Sequence, residues 1–189
     1  MNTFYSEEEL KQLGIKKYGK NVKIGRHAIL YNPEQLEIGN NVRIDDFSII
    51  SGNVIIHDYN HVSQFAGLYG GTAGIELMDF VGVSSKVSIY STTVDYSKGE
   101  KLTNPTIPEE FAATSIDKKV TIGKHVLVGS GSVVLPGANI GEGSTVGCMS
   151  FCNKELGEWG VYVGIPARRL KDRPRDLLKQ EKLLREKLG

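Results

Sequence analysis

The stretch from Val120 to Phe151 reads VTIGKHVLVGSGSVVLPGANIGEGSTVGCMSF. Taken in sixes, it places an aliphatic residue at Ile122, Val128, Val134, Ile140 and Val146. The next position is glycine at Gly123, Gly129, Gly141 and Gly147, with Leu135 the exception. Four residues after each aliphatic stands a compact residue: Val126, Ser132, Ala138, Ser144 and Ser150. An amphipathic helix repeats its apolar residues at three and four, and a half-buried strand at two. A period of six belongs to a hexapeptide β-helix, in which each hexad is one short side of a triangular prism. The aliphatic side chain then points inward and stacks on its equivalent in the next coil, roughly 18 residues on, so that coils bury a core together that none could bury alone. Glycine is expected where the backbone must turn into φ/ψ values costly for other residues.

The pattern extends towards the N-terminus. Ile38, Ile44, Ile50, Ile56, Val62 and Leu68 are again six apart, with Val42, Ser48, Val54, Asn60 and Ala66 as partners and Asn60 the poorest fit. Ile24, with Gly25 and Ala28, opens the series before a pause at Tyr31–Glu34. Tyr69–Gly74 reads as a bulge or small loop, and the period resumes at Leu77, Val83 and Ile89. Residues 91–119 carry no period, and structureless inserts of that length in a compact domain are usually functional. Ser6 and Glu9 form a capping box for a helix over Glu7–Leu13 that ends at Gly14, with Leu10 and Leu13 covering the first coil. After Trp159 come Val163-Gly164-Ile165-Pro166-Ala167-Arg168 and a basic run, then a helix over Arg173–Leu188 with Leu177, Leu178, Leu183, Leu184 and Leu188 on one face. The chain thus divides into a helical cap at 1–20, a β-helix at 21–170 interrupted by the insertion at about 91–119, and a C-terminal helix at 171–189.

Composition excludes several classes. A formal net charge of +1 offers no field for nucleic acid or anionic membranes, and the acidic residues of the last helix argue against lipid. No run approaches the length of a bilayer span, and the residues from Met1 to Glu7 lack the basic start and apolar run of an export signal. Cys148 and Cys152 are read as unpaired buried thiols, and the protein is placed in the cytoplasm. No metal is expected.

The hexads followed by Val163–Arg168 resemble the left-handed β-helix acyltransferases, whose last coil ends in a Gly-x-Pro-Ala-(Lys/Arg) turn. That resemblance implies the handedness, a homotrimer with clefts between adjacent prisms, and an acyl-coenzyme A bound along the C-terminal coils. On it, Ser130, Gly131 and Gly147 allow close backbone approach to the pantetheine arm. The Ile165-Pro166 turn offers an apolar platform for adenine, and Arg168, Arg169 and Lys171 meet the phosphates. An insert leaving the prism to cover a neighbour's cleft is also typical of these enzymes.

Acyl transfer from a thioester needs a nucleophile, a destination for its proton and donors for the oxyanion. Of the four histidines, His27 and His125 read as surface decoration and His57 as a structural or surface residue at a corner. His61, just before Val62 and near Phe65 and Tyr69, is the best base. In the related galactoside and maltose O-acetyltransferases a catalytic histidine opens the long loop. Here that run is Ser91-Thr92-Thr93-Val94-Asp95-Tyr96, with valine in its place. A hydroxyl acceptor needs a base to attack, whereas a neutral amine is already nucleophilic.

The segments Ile44-Asp45-Asp46-Phe47, Tyr90-Ser91 through Tyr96 and Asn104–Pro108 are similar to bacterial N-acyltransferases of nucleotide-linked amino sugars, of the dTDP-4-amino-4,6-dideoxyglucose acetyltransferase type that supplies O-antigen sugars. That resemblance implies acetyl transfer from acetyl-coenzyme A to a sugar amine. His61 and Asp95 are the catalytic candidates. Asp45, Asp46 and Asp95 are placed to hold the ammonium or sugar hydroxyls, and Tyr69, Tyr90 and Tyr96 to stack on base or sugar. The competing readings are an O-acetyltransferase acting on a saccharide hydroxyl and a non-catalytic trimeric scaffold.

Overall fold

The computed structural model describes residues 3–188. It is a parallel β-helix of stacked coils with three faces, flanked by α1 (Glu7–Leu10) and α2 (Leu177–Leu188). Face one stacks Arg43–Ile44, His61–Val62, Gly82–Val83, Leu127–Val128 and Thr145–Val146 in parallel register. Face two stacks residues 49–51, 67–69, Ser88–Tyr90, Val133–Val134 and Phe151–Cys152. Face three carries Leu36–Ile38, residues 54–56 and 75–77, and Val120–Ile122, continued by single bridges through Ile140 to Leu156.

The hexad aliphatics are the core. Ile44, Val62, Val83, Val128 and Val146 point in from face one, Ile50, Leu68, Ile89 and Val134 from face two, and Ile38, Ile56, Leu77, Ile122 and Ile140 from face three. Each is 2% exposed or less. Burying such a side chain contributes about 1.5–3 kcal/mol, and the stack of coils repeats that gain along its length. The small partners do more than fit the corners. Ser132 Oγ donates to the Gly147 carbonyl at 3.0 Å and accepts the Ser150 amide at 3.1 Å, and Ser150 Oγ accepts the Gly164 amide at 3.1 Å. These hydroxyls join one coil's corner to the next and are themselves satisfied. Asn60 follows the same logic at larger scale: its Nδ2 donates to the His57 and Met78 carbonyls at 2.8 and 3.0 Å, and its Oδ1 accepts the Val81 amide at 2.8 Å. The apparent misfit in the hexads is a buried staple between two coils.

Two expectations about corners change. The glycines that follow the aliphatics are not the residues with positive φ. At Gly129 a Cβ would meet the Cys148 amide nitrogen at 2.6 Å and the Val146 carbonyl oxygen at 2.7 Å, so glycine there serves close approach of the next coil. The left-handed residue comes two positions later and is often large: Phe47, Phe65, Tyr59, Phe80, His125 and Trp159 all have φ between +49° and +62°. That backbone costs roughly 1–2 kcal/mol for a residue with a Cβ. Stacking offsets it, with Phe47 on Phe65 at 5.2 Å and Tyr59 on Phe80 at 4.8 Å.

The interruption at Tyr69–Gly74 is a bulged part of one long strand, Gly67–Leu77, which pairs with Ile49–Ile56 through two register shifts. Residues 91–119 are not structureless. Thr92–Val94 and Ser115–Asp117 form an antiparallel hairpin stem, with a 3-10 turn at Glu109–Phe111 further out. Helix α1 is shorter than expected. Its capping box is intact, with the Ser6 amide on Glu9 at 2.7 Å and the Glu9 amide on Ser6 Oγ at 3.3 Å, and Leu10 is 3% exposed in the core. Replacing Asn60 by alanine leaves three backbone groups without their partner. Urea unfolding of N60A is expected to show a loss of about 2–4 kcal/mol with an unchanged slope.

Candidate active site

The coil register sorts the candidate residues by edge. The edge between faces one and two carries residues 45–48, 63–66, 84–87, 129–132 and 147–150 on successive coils. Asp45 and Asp46 therefore share one edge with Ser130, Gly131 and Gly147. The Met149 amide on the Ser130 carbonyl at 2.9 Å fixes the last two rungs. Beyond them the turn at residues 164–167 is pinned to Phe151, whose amide donates to the Gly164 carbonyl at 3.0 Å and whose carbonyl accepts the Ala167 amide at 2.8 Å. The peptide bond between Ile165 and Pro166 is cis, and Ile165 is 75% exposed beside this face. The residues expected to meet the acceptor and those expected to meet coenzyme A thus share one edge of the prism.

His61 stands on face one, pointing outward. Its Nε2 is 2.8 Å from Asp45 Oδ2, while Arg43 Nε donates to Asp45 Oδ1 at 2.6 Å. Arg43 and His61 are direct neighbours in the parallel register, so the strand pairing itself brings all three together. Burial pushes the Asp45 carboxyl up, but its bonds to His61 and Arg43 outweigh that and hold it below the usual carboxylate range. Asp46 is engaged differently. Its Oδ1 accepts the His27 amide at 2.9 Å and closes the corner of the preceding coil. Tyr69 and Tyr90 do come together, stacked at 4.8 Å on face two, whereas Tyr96 is 70% exposed on the insert and joins neither. Asp95 also sits on the insert, its carboxylate turned to the Ser97 hydroxyl at 2.6 Å and to Lys98 at 3.5 Å. The insert leaves the prism between faces two and three, so His61 and Asp95 occupy different sides of one prism.

The C-terminal basic run forms a strand, Arg168–Asp172, antiparallel to Gly160–Val163. Arg169 is consumed there: it binds Asp172 at 2.8 Å, the Glu158 and Trp159 carbonyls and the Tyr162 hydroxyl. Arg168 and Lys171 are exposed and make no ion pair among the described residues. Helix α2 then lies across face one. Leu177, Glu181 and Leu184 turn towards the prism, while Leu178 and Leu183 are 37% and 58% exposed, so the leucines do not share one face; the Leu188 side chain lies outside the described residues. Between α2 and the coils is a 580 Å³ cavity lined by Tyr59, Phe80, Leu127, Leu177 and Leu184, with His61 at its rim.

His125 is not surface decoration. It is 9% exposed, stacked on Phe80 at 5.0 Å, with Nε2 at 2.7 Å from Glu181. The sequence has no local signal that an acid 56 residues away would cover this ring. Cys148, expected to be buried, is exposed because it faces out from an edge, while Cys152 faces in and burial pushes its thiol up to about 11. His57 binds Glu76 at 2.8 Å. Sequence reasoning also passed over Ser84, Ser85 and Lys86. They occupy the middle rung of the candidate edge, where the hexad register places Ser84 in line with Asp45 and Gly129.

No family model matches the chain. It is 39% identical over 186 residues to dTDP-4-amino-4,6-dideoxy-D-glucose acyltransferase of Escherichia coli, covering 96% of this chain and 95% of that one. It is 44% identical to AntD, an N-acyltransferase from Bacillus cereus, with TM-scores of 0.95 and 0.96 and coverage of at least 99% of both chains. AntD has been solved with dTDP and 3-hydroxybutyryl-CoA, and a serine-to-cysteine variant with dTDP-4-amino-4,6-dideoxyglucose and coenzyme A. WbbJ of Escherichia coli K12, named for O-acetyl transfer in lipopolysaccharide biosynthesis, is 30% identical over 147 residues, covering 73% of this chain and 69% of its own.

Glu181 is the centre of α2 docking, bonded to Lys124, His125 and Arg185 at 2.7 Å each. Burial raises its carboxyl, but these three partners outweigh burial and hold it down at about 2. A depressed carboxyl stabilises the fold above its unfolded value near 4.5 and loses that contribution as pH falls towards 2. In E181Q the helix should open at neutral pH: trypsin is expected to cut at Lys179, Lys182 and Arg185 several-fold faster than in the unaltered protein, with the β-helix left intact.

Proposed function

This chain belongs to the dTDP-4-amino-4,6-dideoxy-D-glucose acyltransferase family, and on that footing we propose that it transfers an acetyl group from acetyl-coenzyme A to the amine of dTDP-4-amino-4,6-dideoxyglucose. The observation that carries the reading is likeness along the whole chain, insert and C-terminal strand included, to an N-acyltransferase held with that sugar nucleotide and coenzyme A. The product suits O-antigen or other surface polysaccharide synthesis, carried out in the cytoplasm where both activated substrates are made.

The geometry supports a division of labour. Coenzyme A lies along the C-terminal rungs, its pantetheine beside Ser130, Gly131 and Gly147, its adenine on Ile165-Pro166 and its phosphates towards Arg168 and Lys171. Arg169, already committed to Asp172, shapes the strand that presents them. The amine attacks the thioester carbonyl, a C–N bond forms, the C–S bond breaks, and the coenzyme leaves as thiolate. The amine attacks in its neutral form, its ammonium proton already lost to water; as the C–N bond forms, His61, 47% exposed in its side chain, takes a second proton from the nitrogen and passes it to the leaving thiolate. Asp95 holds the ammonium form and the sugar hydroxyls, with Tyr69 and Tyr90 flanking the sugar or base and Tyr96 following from the insert. Because His61 and Asp95 lie on different sides of one prism, a site that uses both draws them from adjacent chains, which suits a homotrimer with three shared clefts. Asp46 contributes by closing the corner next to the acceptor end.

Thiol release measured with acetyl-coenzyme A and dTDP-4-amino-4,6-dideoxyglucose should be saturable and give a product heavier by one acetyl group, with no release from the 4-hydroxy analogue. In H61A the turnover number is expected to fall by about a hundredfold, and in D95N the acceptor KM to rise. Release from the hydroxyl sugar alone would replace this reading with O-acetyl transfer.

A further inference from the structure

We propose that Asp45 is a positioning residue that locks His61 in one tautomer, with the proton on Nε2 and the free lone pair on Nδ1. The inference rests on the acyl-transfer reading above for its consequence, but its geometry stands alone. Both oxygens of Asp45 are occupied, Oδ2 by His61 and Oδ1 by Arg43, and its side chain is only 12% exposed. A carboxylate so committed has little left to offer a sugar hydroxyl or an ammonium. An ionised carboxylate accepts only, so the ring nitrogen at 2.8 Å is the one that carries hydrogen. Nδ1 has no hydrogen-bond partner among the described residues, and the imidazole is half exposed at the rim of the cavity under α2.

Arg43 makes the arrangement rigid. It is anchored on its other side by the Phe4 ring, 5.4 Å from the guanidinium carbon, and Phe4 itself bridges to Gly25. A line of contacts thus runs from the N-terminal segment through Arg43 and Asp45 to the imidazole. When Nδ1 takes the proton that the attacking nitrogen sheds, the resulting imidazolium faces a carboxylate already in place, so the charge is met without rearrangement. The other charged or titratable groups around the same space are Tyr59, His125, Arg173 and Glu181. His125 and Glu181 are paired to each other, and Arg173 donates to the His125 and Gly143 carbonyls. None of these bonds reaches His61, which leaves Asp45 as the group that sets its proton.

The direct test is nitrogen-15 imidazole NMR of the whole protein, with H61A used to assign the resonance. Unaltered protein should show His61 as the Nε2–H tautomer and D45N should shift it towards Nδ1–H, because an asparagine amide can donate to Nε2. The same spectrum in both proteins, or Nδ1–H in the unaltered one, overturns the proposal whether or not the enzyme turns over. Kinetically, D45N should lose about tenfold to a hundredfold in kcat with both KM values within about threefold, and D45E should recover part of the loss. The D45N/H61A double variant should be no slower than H61A alone. A D45N that raises the acceptor KM at unchanged kcat would make Asp45 a substrate contact instead. Absence of acetyl transfer by the unaltered protein would refute the function while leaving the NMR result to decide the tautomer.

Discussion

The constraint on which everything else rests is the register between coils. Arg43 pairs with His61 and Leu127 with Thr145, eighteen residues on in each case, and every inward aliphatic therefore lands on another. Slip one residue and each side chain would exchange inside for outside, as in any sheet with period-two alternation. The register holds even where the chain departs. Gly82 pairs with Leu127 across the whole insert, and Ile75 with Val120 at its return, so the excursion begins and ends on the same lattice. Outward residues inherit this order. Asp45, Ser84, Gly129 and Gly147 form a line because Ile44, Val83, Val128 and Val146 form one behind them.

That inheritance explains what was readable beforehand. Ile122, Val128 and Val134 announce the prism because burial selects aliphatics at fixed spacing, and the same spacing predicts which neighbours share an edge. Residues whose role depends on contacts across the chain were not readable in this way. Nothing near His125 in sequence reports that Glu181 and α2 will cover it, and nothing near Arg169 distinguishes it from Arg168, although the Arg169 guanidinium is bound to Asp172 and the Arg168 side chain makes no ion pair among the described residues. Asn60 was visible as an anomaly, but its meaning lay in carbonyls of two different coils. His61 was selected for its neighbourhood, and the partner that gives it a defined proton, Asp45, was assigned another task.

A scaffold built of flat walls has few enclosed places for chemistry. The molecule answers this by adding parts to the prism: the hairpin insert on one side and α2 with its cavity on another. Each addition is held by polar contacts, the hairpin by its ladder and by Thr92 against Asp117, the helix by Glu181 and by Arg173 on the coil carbonyls. The core supplies rigidity, and the additions supply walls that a regular solenoid lacks.

One polar ladder ties these levels together. Asp58 accepts the Asn40 amide, Asp79 accepts the Asp58 amide, and Arg185 reaches Asp79 at 3.4 Å from a position 106 residues along the chain. Most of the coil contacts are short in sequence, so the solenoid can assemble by adding one rung to the last, whereas the helix must find a surface completed long before it emerges. Coils that have stacked thus leave face one bare until α2 docks on it. The ladder's last bond forms only where α2 lies on coils that have already stacked.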